Sequence, residues 1–207
     1  MNLARLLQLA SPTLPVGAYS YSGGLEAACE AGEVHDAASA ERWIGDVLEF
    51  SVARMEAPLL FRMLKNPEWN ETFLASRESA ELRAETVQMG YSLNRLFKDL
   101  GLGEVPVEEP SFPAAFAHAA HRWQIEPEAA LQAYLWAWLE NQVMAAVKAV
   151  PLGQTDGQRI LLSLGDLLPS FARKAMQMKD EELGNFAPGL AMLSARHETQ
   201  YSRLFRS

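Results

Sequence analysis

A chain of 207 residues with 49% apolar and 21% charged side chains can bury one full hydrophobic core, and it carries too little charge for a disordered polymer. Its net charge of −8 argues against nucleic acid as the main partner, because phosphate backbones call for a basic surface. Cys29 is the only cysteine, so no intrachain disulfide forms and nothing points to an oxidising compartment.

Met1–Ala10 is apolar but has Arg5 in its middle, and it lacks the basic lead and small-residue cleavage site of a signal peptide. No window approaches an uncharged membrane span, so a soluble, cytoplasmic protein is expected. Pro12 and Pro15 then restrict the backbone, and Gly17, Gly23 and Gly24 free it, around Tyr19, Ser20, Tyr21 and Ser22. Such a loop is either a plain turn between helices or a binding surface on a rigid scaffold.

Helical periodicity dominates from residue 25 onward. Leu25–Ala31 is a short helix ended by Gly32. Ser39 is the expected N-cap of a long stripe through Trp43, Ile44, Val47, Leu48, Val52, Met55, Leu59 and Met63, which stops at Asn66-Pro67. Leu82, Thr86, Met89, Leu93, Leu96, Phe97 and Leu100 form the next stripe, ending at Gly101. Pro106–Pro113 reads as a loop, and Phe116, Ala120 and Trp123 open a further helix. Pro127 suits the first position of a helix through Leu131, Tyr134, Leu135, Trp138, Leu139, Gln142, Val143, Ala146 and Val150, ended by Pro151 and Gly153. Thr155 and Gln158 have the spacing of a capping box before Ile160, Leu164, Leu168 and Phe171, and Pro169 predicts a kink or break there. Period-two alternation is almost absent. The expected fold is an all-α, single-domain helical bundle over residues 1–207.

The charge is uneven. Glu26, Glu30, Glu33, Asp36, Glu41, Asp46, Glu49 and Glu56 face only Arg42 and Arg54, whereas the C-terminal end is basic. This predicts a solvated acidic face, or two surfaces for two partners. That end carries Arg196, Arg203 and Arg206 among Tyr201, Leu204 and Phe205, which share one face if the segment is helical. The segment either docks on its own domain or supplies aromatic and guanidinium anchors to an interface.

Signatures of catalysis are missing. Gly153–Arg159 has glycines before a helix but not the spacing or Lys-Ser/Thr ending of a phosphate loop. Ser20 and Ser22 sit among glycines without a nucleophile elbow. His118 and His121 can share a helix face, but no third metal ligand lies nearby in sequence. Glu108-Glu109 and Glu181-Glu182 read as solvated carboxylates.

The stretches Leu7–Glu26, Arg83–Gly90, Trp136–Gln142, Lys148–Gln158 and Arg196–Ser207 together resemble the urease accessory protein F (UreF) family, in order and over essentially the whole chain. The resemblance implies a non-enzymatic urease maturation factor. It would bridge the D accessory protein (H in some organisms) and the nickel-carrying GTPase, often as a dimer of heterotrimers, so a homodimer is implied too. The assembly would couple GTP-dependent nickel insertion to apo-urease, with nickel and GTP handled by the partners and no cofactor or metal held by this chain. By position, Gly17, Tyr19, Ser20, Tyr21, Ser22, Gly23, Gly24, Glu26, Lys148, Gln154 and Arg203 would form the GTPase-binding surface. Arg203 would reach the Gly17–Gly24 loop and hold its shape. Within a partner-binding tail over residues 187–207, Arg196, His197, Glu198, Tyr201, Leu204, Phe205, Arg206 and Ser207 would meet the D/H protein. The competing reading is a nickel-binding carrier using His118, His121, Cys29 or carboxylates.

Overall fold

The computed structural model describes residues 3–207, so Met1 and Asn2 of the Met1–Ala10 stretch lie outside the described residues. The elements in order are α1 (Leu3–Ala10), a 3-10 turn (Ala18–Ser20), α2 (Leu25–Glu30), α3 (Ala37–Val47), a π segment (Leu48–Glu56) and α4 (Ala57–Met63). They continue as α5 (Trp69–Ala75), α6 (Ala80–Leu100), α7 (Phe112–Arg122), α8 (Pro127–Ala149), α9 (Gln154–Gly165), α10 (Leu168–Gln177), a second 3-10 turn (Asp180–Glu182) and α11 (Pro188–His197). Among the described residues there is no strand, and the fold is an all-α single domain.

The bundle is organised around α8. Leu131, Leu135 and Leu139 are fully buried, and Tyr134, Gln142 and Val143 nearly so, because the helix meets α1, α2, α3, α4, α7, α9 and α10. A helix covered on most sides has to be apolar on most sides. Helices α6 and α7 cross where Gly90 removes a side chain. A Cβ there would sit 2.1 Å from the Pro110 carbonyl oxygen and 2.5 Å from the Ser111 carbonyl carbon. No other residue permits that approach.

Several boundaries differ from the sequence reading. Asp36, not Ser39, is the N-cap of α3. Asp36 Oδ1 accepts from the Ser39 amide at 2.8 Å, while the Ser39 hydroxyl accepts from the Asp36 amide at 3.0 Å. A hydroxyl three residues into the helix thus completes the reciprocal box that Asp opens. α7 starts inside the predicted Pro106–Pro113 loop, with Ser111 as cap and Pro113 in the first turn, where a missing N–H is harmless. The Thr155–Gln158 box does not form; Gly153 occupies the cap position and Thr155 is already helical. Pro169 does mark a break, since α9 stops at Gly165 and α10 carries that proline in its first turn.

The stripe from Trp43 to Met63 is one helical run, but its middle is π-helical from Leu48 to Glu56. Pro58 cannot donate to the Arg54 carbonyl, and its ring crowds that carbonyl, so a wider turn just upstream relieves the clash. The acidic run is not uniformly solvated either. Glu30, Glu33, Asp36, Asp46 and Glu49 are exposed, but Glu26 and Glu56 are buried.

Candidate functional site

The Pro-Gly loop and the C-terminal end meet on one face. In the loop Gly17, Gly23 and Gly24 have φ of 78°, 57° and 85°, values other residues rarely adopt. A Cβ on Gly24 would also lie 2.9 Å from Leu190 Cδ1 of α11, so the glycine serves close packing as well as the turn. Asn141 Nδ2 of α8 donates to the Tyr21 carbonyl at 3.2 Å. Of the two loop tyrosines only Tyr19 is presented to solvent, at 76% exposure; Tyr21 is buried.

Residues beyond α11 are not helical, which corrects the expectation that Tyr201, Leu204 and Phe205 share one face. Tyr201 and Leu204 are exposed, and Phe205 is buried with Lys148 Nζ 4.4 Å above its ring. The physical reason is a competing set of backbone partners. The Arg206 amide donates to the Ser20 carbonyl at 2.8 Å, and the Ser22 amide donates to the Ser207 carbonyl at 3.0 Å. The Ser22 hydroxyl donates to that same Ser207 oxygen.

Glu26 anchors this strap from the first turn of α2. Its two carboxylate oxygens accept from the amides of Leu204 at 2.7 Å and Phe205 at 2.9 Å, and from Gln200 Nε2 at 3.3 Å. His197, fully buried, stands between Glu26 and Glu81, with Nε2 at 3.3 Å from the former and Nδ1 at 2.7 Å from the latter. Arg203 does not reach the Gly17–Gly24 loop. Its guanidinium donates to Glu81 Oε1 at 2.7 Å and to the carbonyls of Glu198 and Gln200 at 2.6 and 3.0 Å. The turn after His197 carries Arg203 over the start of α6, where a carboxylate satisfies it, so the tail touches the loop through backbone groups instead. Glu198 Oε1 accepts from the Ala80 amide at 3.0 Å and so helps cap α6. Arg196, Arg206 and, at the start of α9, Gln154 are exposed.

Two carboxylates, half-buried Glu85 and buried Glu56, are not among the site residues expected from the sequence. Glu85 Oε2 accepts the Ser207 hydroxyl at 2.6 Å. Burial pushes its carboxyl up to about 7, an effect the Ser207 bond opposes and the Glu56 charge reinforces. The signal was its position between Leu82 and Met89 on the apolar stripe of α6. Glu56, aimed inward by the π segment, accepts from Arg77 Nη1 at 2.6 Å and from the Tyr134 hydroxyl at 2.6 Å. These groups wall a cleft whose lining is mostly apolar, with Leu14, Val52, Phe73 and Trp138, but also includes Glu140, Asn141 and Gln142. The buried oxygens of Glu78 beside it have no hydrogen-bond partner among the described residues, and burial raises that carboxyl too.

His118 Nε2 lies 3.1 Å from the Leu102 carbonyl and its ring packs on Phe97, whereas His121 is exposed. Among the described residues no group of three or more His, Cys, Asp or Glu is placed to hold a metal ion. Likewise, no helix among them is long and apolar enough to cross a membrane.

Comparison with known proteins gives a consistent picture. The family model UreF matches residues 34–165. The chain is 58% identical to "Urease accessory protein UreF" of an Azoarcus species, with 100% of this chain and 96% of the relative aligned. It is 53% identical to the protein of that name from Dechloromonas aromatica and 48% identical to the one from Cupriavidus necator, in each case across 100% of this chain and 98% of the relative. The full-length alignments include the loop and the strap, which the family model does not.

Proposed function

The chain belongs to the urease accessory protein UreF family, and from that premise we propose that it is a cytoplasmic, non-enzymatic scaffold of urease maturation. It joins the D/H accessory protein to the nickel-carrying GTPase, presents that assembly to apo-urease, and couples GTP-dependent nickel insertion to it. Nickel and GTP reside on the partners, and two copies form the core of the assembly. A single observation carries this reading: the strap that ends the chain is fixed through its backbone while Tyr201, Leu204, Arg196 and Arg206 point to solvent. Side chains of that kind, held on a rigid frame, are what protein interfaces use as anchors. Tyr19 on the adjoining loop adds a second exposed aromatic. A scaffold of this kind acts on a GTPase only by binding one nucleotide state more tightly than the other.

The test uses the exposed anchors, because removing the whole strap would also remove buried Phe205 and uncover buried His197. A Tyr201→Ala/Leu204→Ala variant is expected to keep its helical circular dichroism, to lose co-purification with the D/H protein and to leave urease inactive in cells. Undiminished co-purification of that folded variant would refute the assignment.

A further inference from the structure

The hub beneath the strap has a proton requirement set by its geometry. Both ring nitrogens of buried His197 face carboxylate oxygens, of Glu81 at 2.7 Å and of Glu26 at 3.3 Å. A neutral imidazole has one N–H, so both contacts are hydrogen bonds only when the ring carries two protons or a facing carboxyl carries one. Nearby, Glu85 accepts from Ser207 and has Glu56 and Glu81 as neighbouring like charges.

The charged groups facing this cluster come from every element around it. α2 supplies Glu26 and the π segment Glu56; α6 and the turn before it supply Arg77, Glu78 and Glu81. α8 brings the Tyr134 hydroxyl onto Glu56, Glu140 to the wall of the same cleft as Glu85, and Lys148 over Phe205, and the strap brings Arg203 onto Glu81 and Glu198 onto the start of α6. Carboxylates outnumber cations there.

We propose that residues 198–207 are a proton-controlled latch, closed over α2 and α6 while the Glu85–His197 cluster holds its protons and opened as it loses them. Both losses act in the same direction. Taking the second N–H from the ring turns a lone pair toward a carboxylate, and ionising Glu85 puts a charge in a poorly solvated site beside two others, a cost larger than the gain from a stronger Ser207 bond. The Glu85 carboxyl is raised from 4.5 to about 7 in the closed form. A group raised on closing contributes fully below its ordinary value, and that contribution is lost as pH climbs from there through 7. If opening restores the ordinary value, the closed-to-open ratio falls about thirtyfold between pH 5.5 and 8 from Glu85 alone. The latch is a property of this chain by itself and stands or falls separately from the scaffold role.

Hydrogen exchange followed by mass spectrometry on the full chain, corrected for the intrinsic pH dependence of amide chemistry, is the test. The amides of Leu204, Phe205 and Arg206 are expected to lose at least about tenfold in protection between pH 5.5 and 8.5, while the middle of α8 keeps its protection. Glu85→Gln, which preserves the neutral shape, is expected to flatten the profile. Strap protection that does not change with pH in the unaltered protein, or a loss shared equally by α8, would overturn the latch whether or not the variant folds. So would an unchanged pH slope in folded Glu85→Gln and folded His197→Gln proteins.

Discussion

Replacing Glu26 with alanine should free residues 198–207 and leave the bundle folded. The carboxylate accepts two short bonds from backbone amides, 2.7 Å from Leu204 and 2.9 Å from Phe205, and a long one at 3.3 Å from Gln200, and His197 Nε2 also lies 3.3 Å from it. A bond to a charged acceptor contributes roughly 1.5–3 kcal/mol, and the long contacts add little. Against that, removing Glu26 relieves some repulsion with Glu81, the other carboxylate on His197. The balance is a loss of about 3 kcal/mol in strap docking, which is roughly a hundredfold in the docked-to-free ratio. Native-state trypsin cleavage after Arg203 and Arg206 reads that ratio directly, because both bonds are in the strap and the protease needs an extended, released segment. Cleavage should accelerate by about that factor while the urea midpoint of the core, followed by far-UV circular dichroism, moves little. Equal cleavage rates in the two proteins would refute the view that Glu26 organises the strap. A collapse of the cooperative urea transition would show instead that Glu26 belongs to the core.

Two further predictions concern the body of the bundle. Gly90→Ala pushes a Cβ against the backbone of Pro110 and Ser111, atoms that cannot rotate away, so the α6–α7 crossing must shift. A loss of about 3 kcal/mol is expected, seen as a lowered thermal midpoint with retained helix content. Glu56→Ala strands Arg77, whose side chain is 5% exposed, and takes the partner from the Tyr134 hydroxyl. Urea denaturation should show a loss of about 3–5 kcal/mol, and Tyr134→Phe a much smaller one.

The helical architecture was legible because burial writes its period into the sequence. Leu131, Leu135 and Leu139 recur at the spacing of one helix face, and Gly101 and Gly32 adopt the left-handed conformation that ends their helices. The π segment was not legible. Over nine residues the wide turn keeps Leu48, Val52 and Met55 buried, as an α-helix would, so the apolar pattern does not distinguish the two. The strap misled for a different reason. Tyr201, Leu204 and Phe205 have helical spacing, but the amides of Leu204 and Phe205 find a buried carboxylate 178 and 179 residues away, a partner no local pattern can announce. Glu26 and Glu56 were hidden in an acidic run whose other members mostly face water. Arg203 bonds Glu81 and not the Gly17–Gly24 loop, because the sequence does not reveal that Glu81 lies beneath it.

The π segment also bears on how this chain tolerates changes in length. Elsewhere along a helix, losing one residue swings everything beyond it by about 100° and turns core side chains outward. Between Leu48 and Glu56 a deletion can be absorbed, because the surplus residue disappears and regular geometry returns with α3 and α4 still facing the interior. What would vanish is local: the bond from the Phe186 amide to the Phe50 carbonyl, which ties the segment before α11 to this turn, and the aim of Glu56 at Tyr134. A shorter relative at this point would keep the bundle and lose the tether, which makes residue count here a gauge of how firmly α11 and the strap are held.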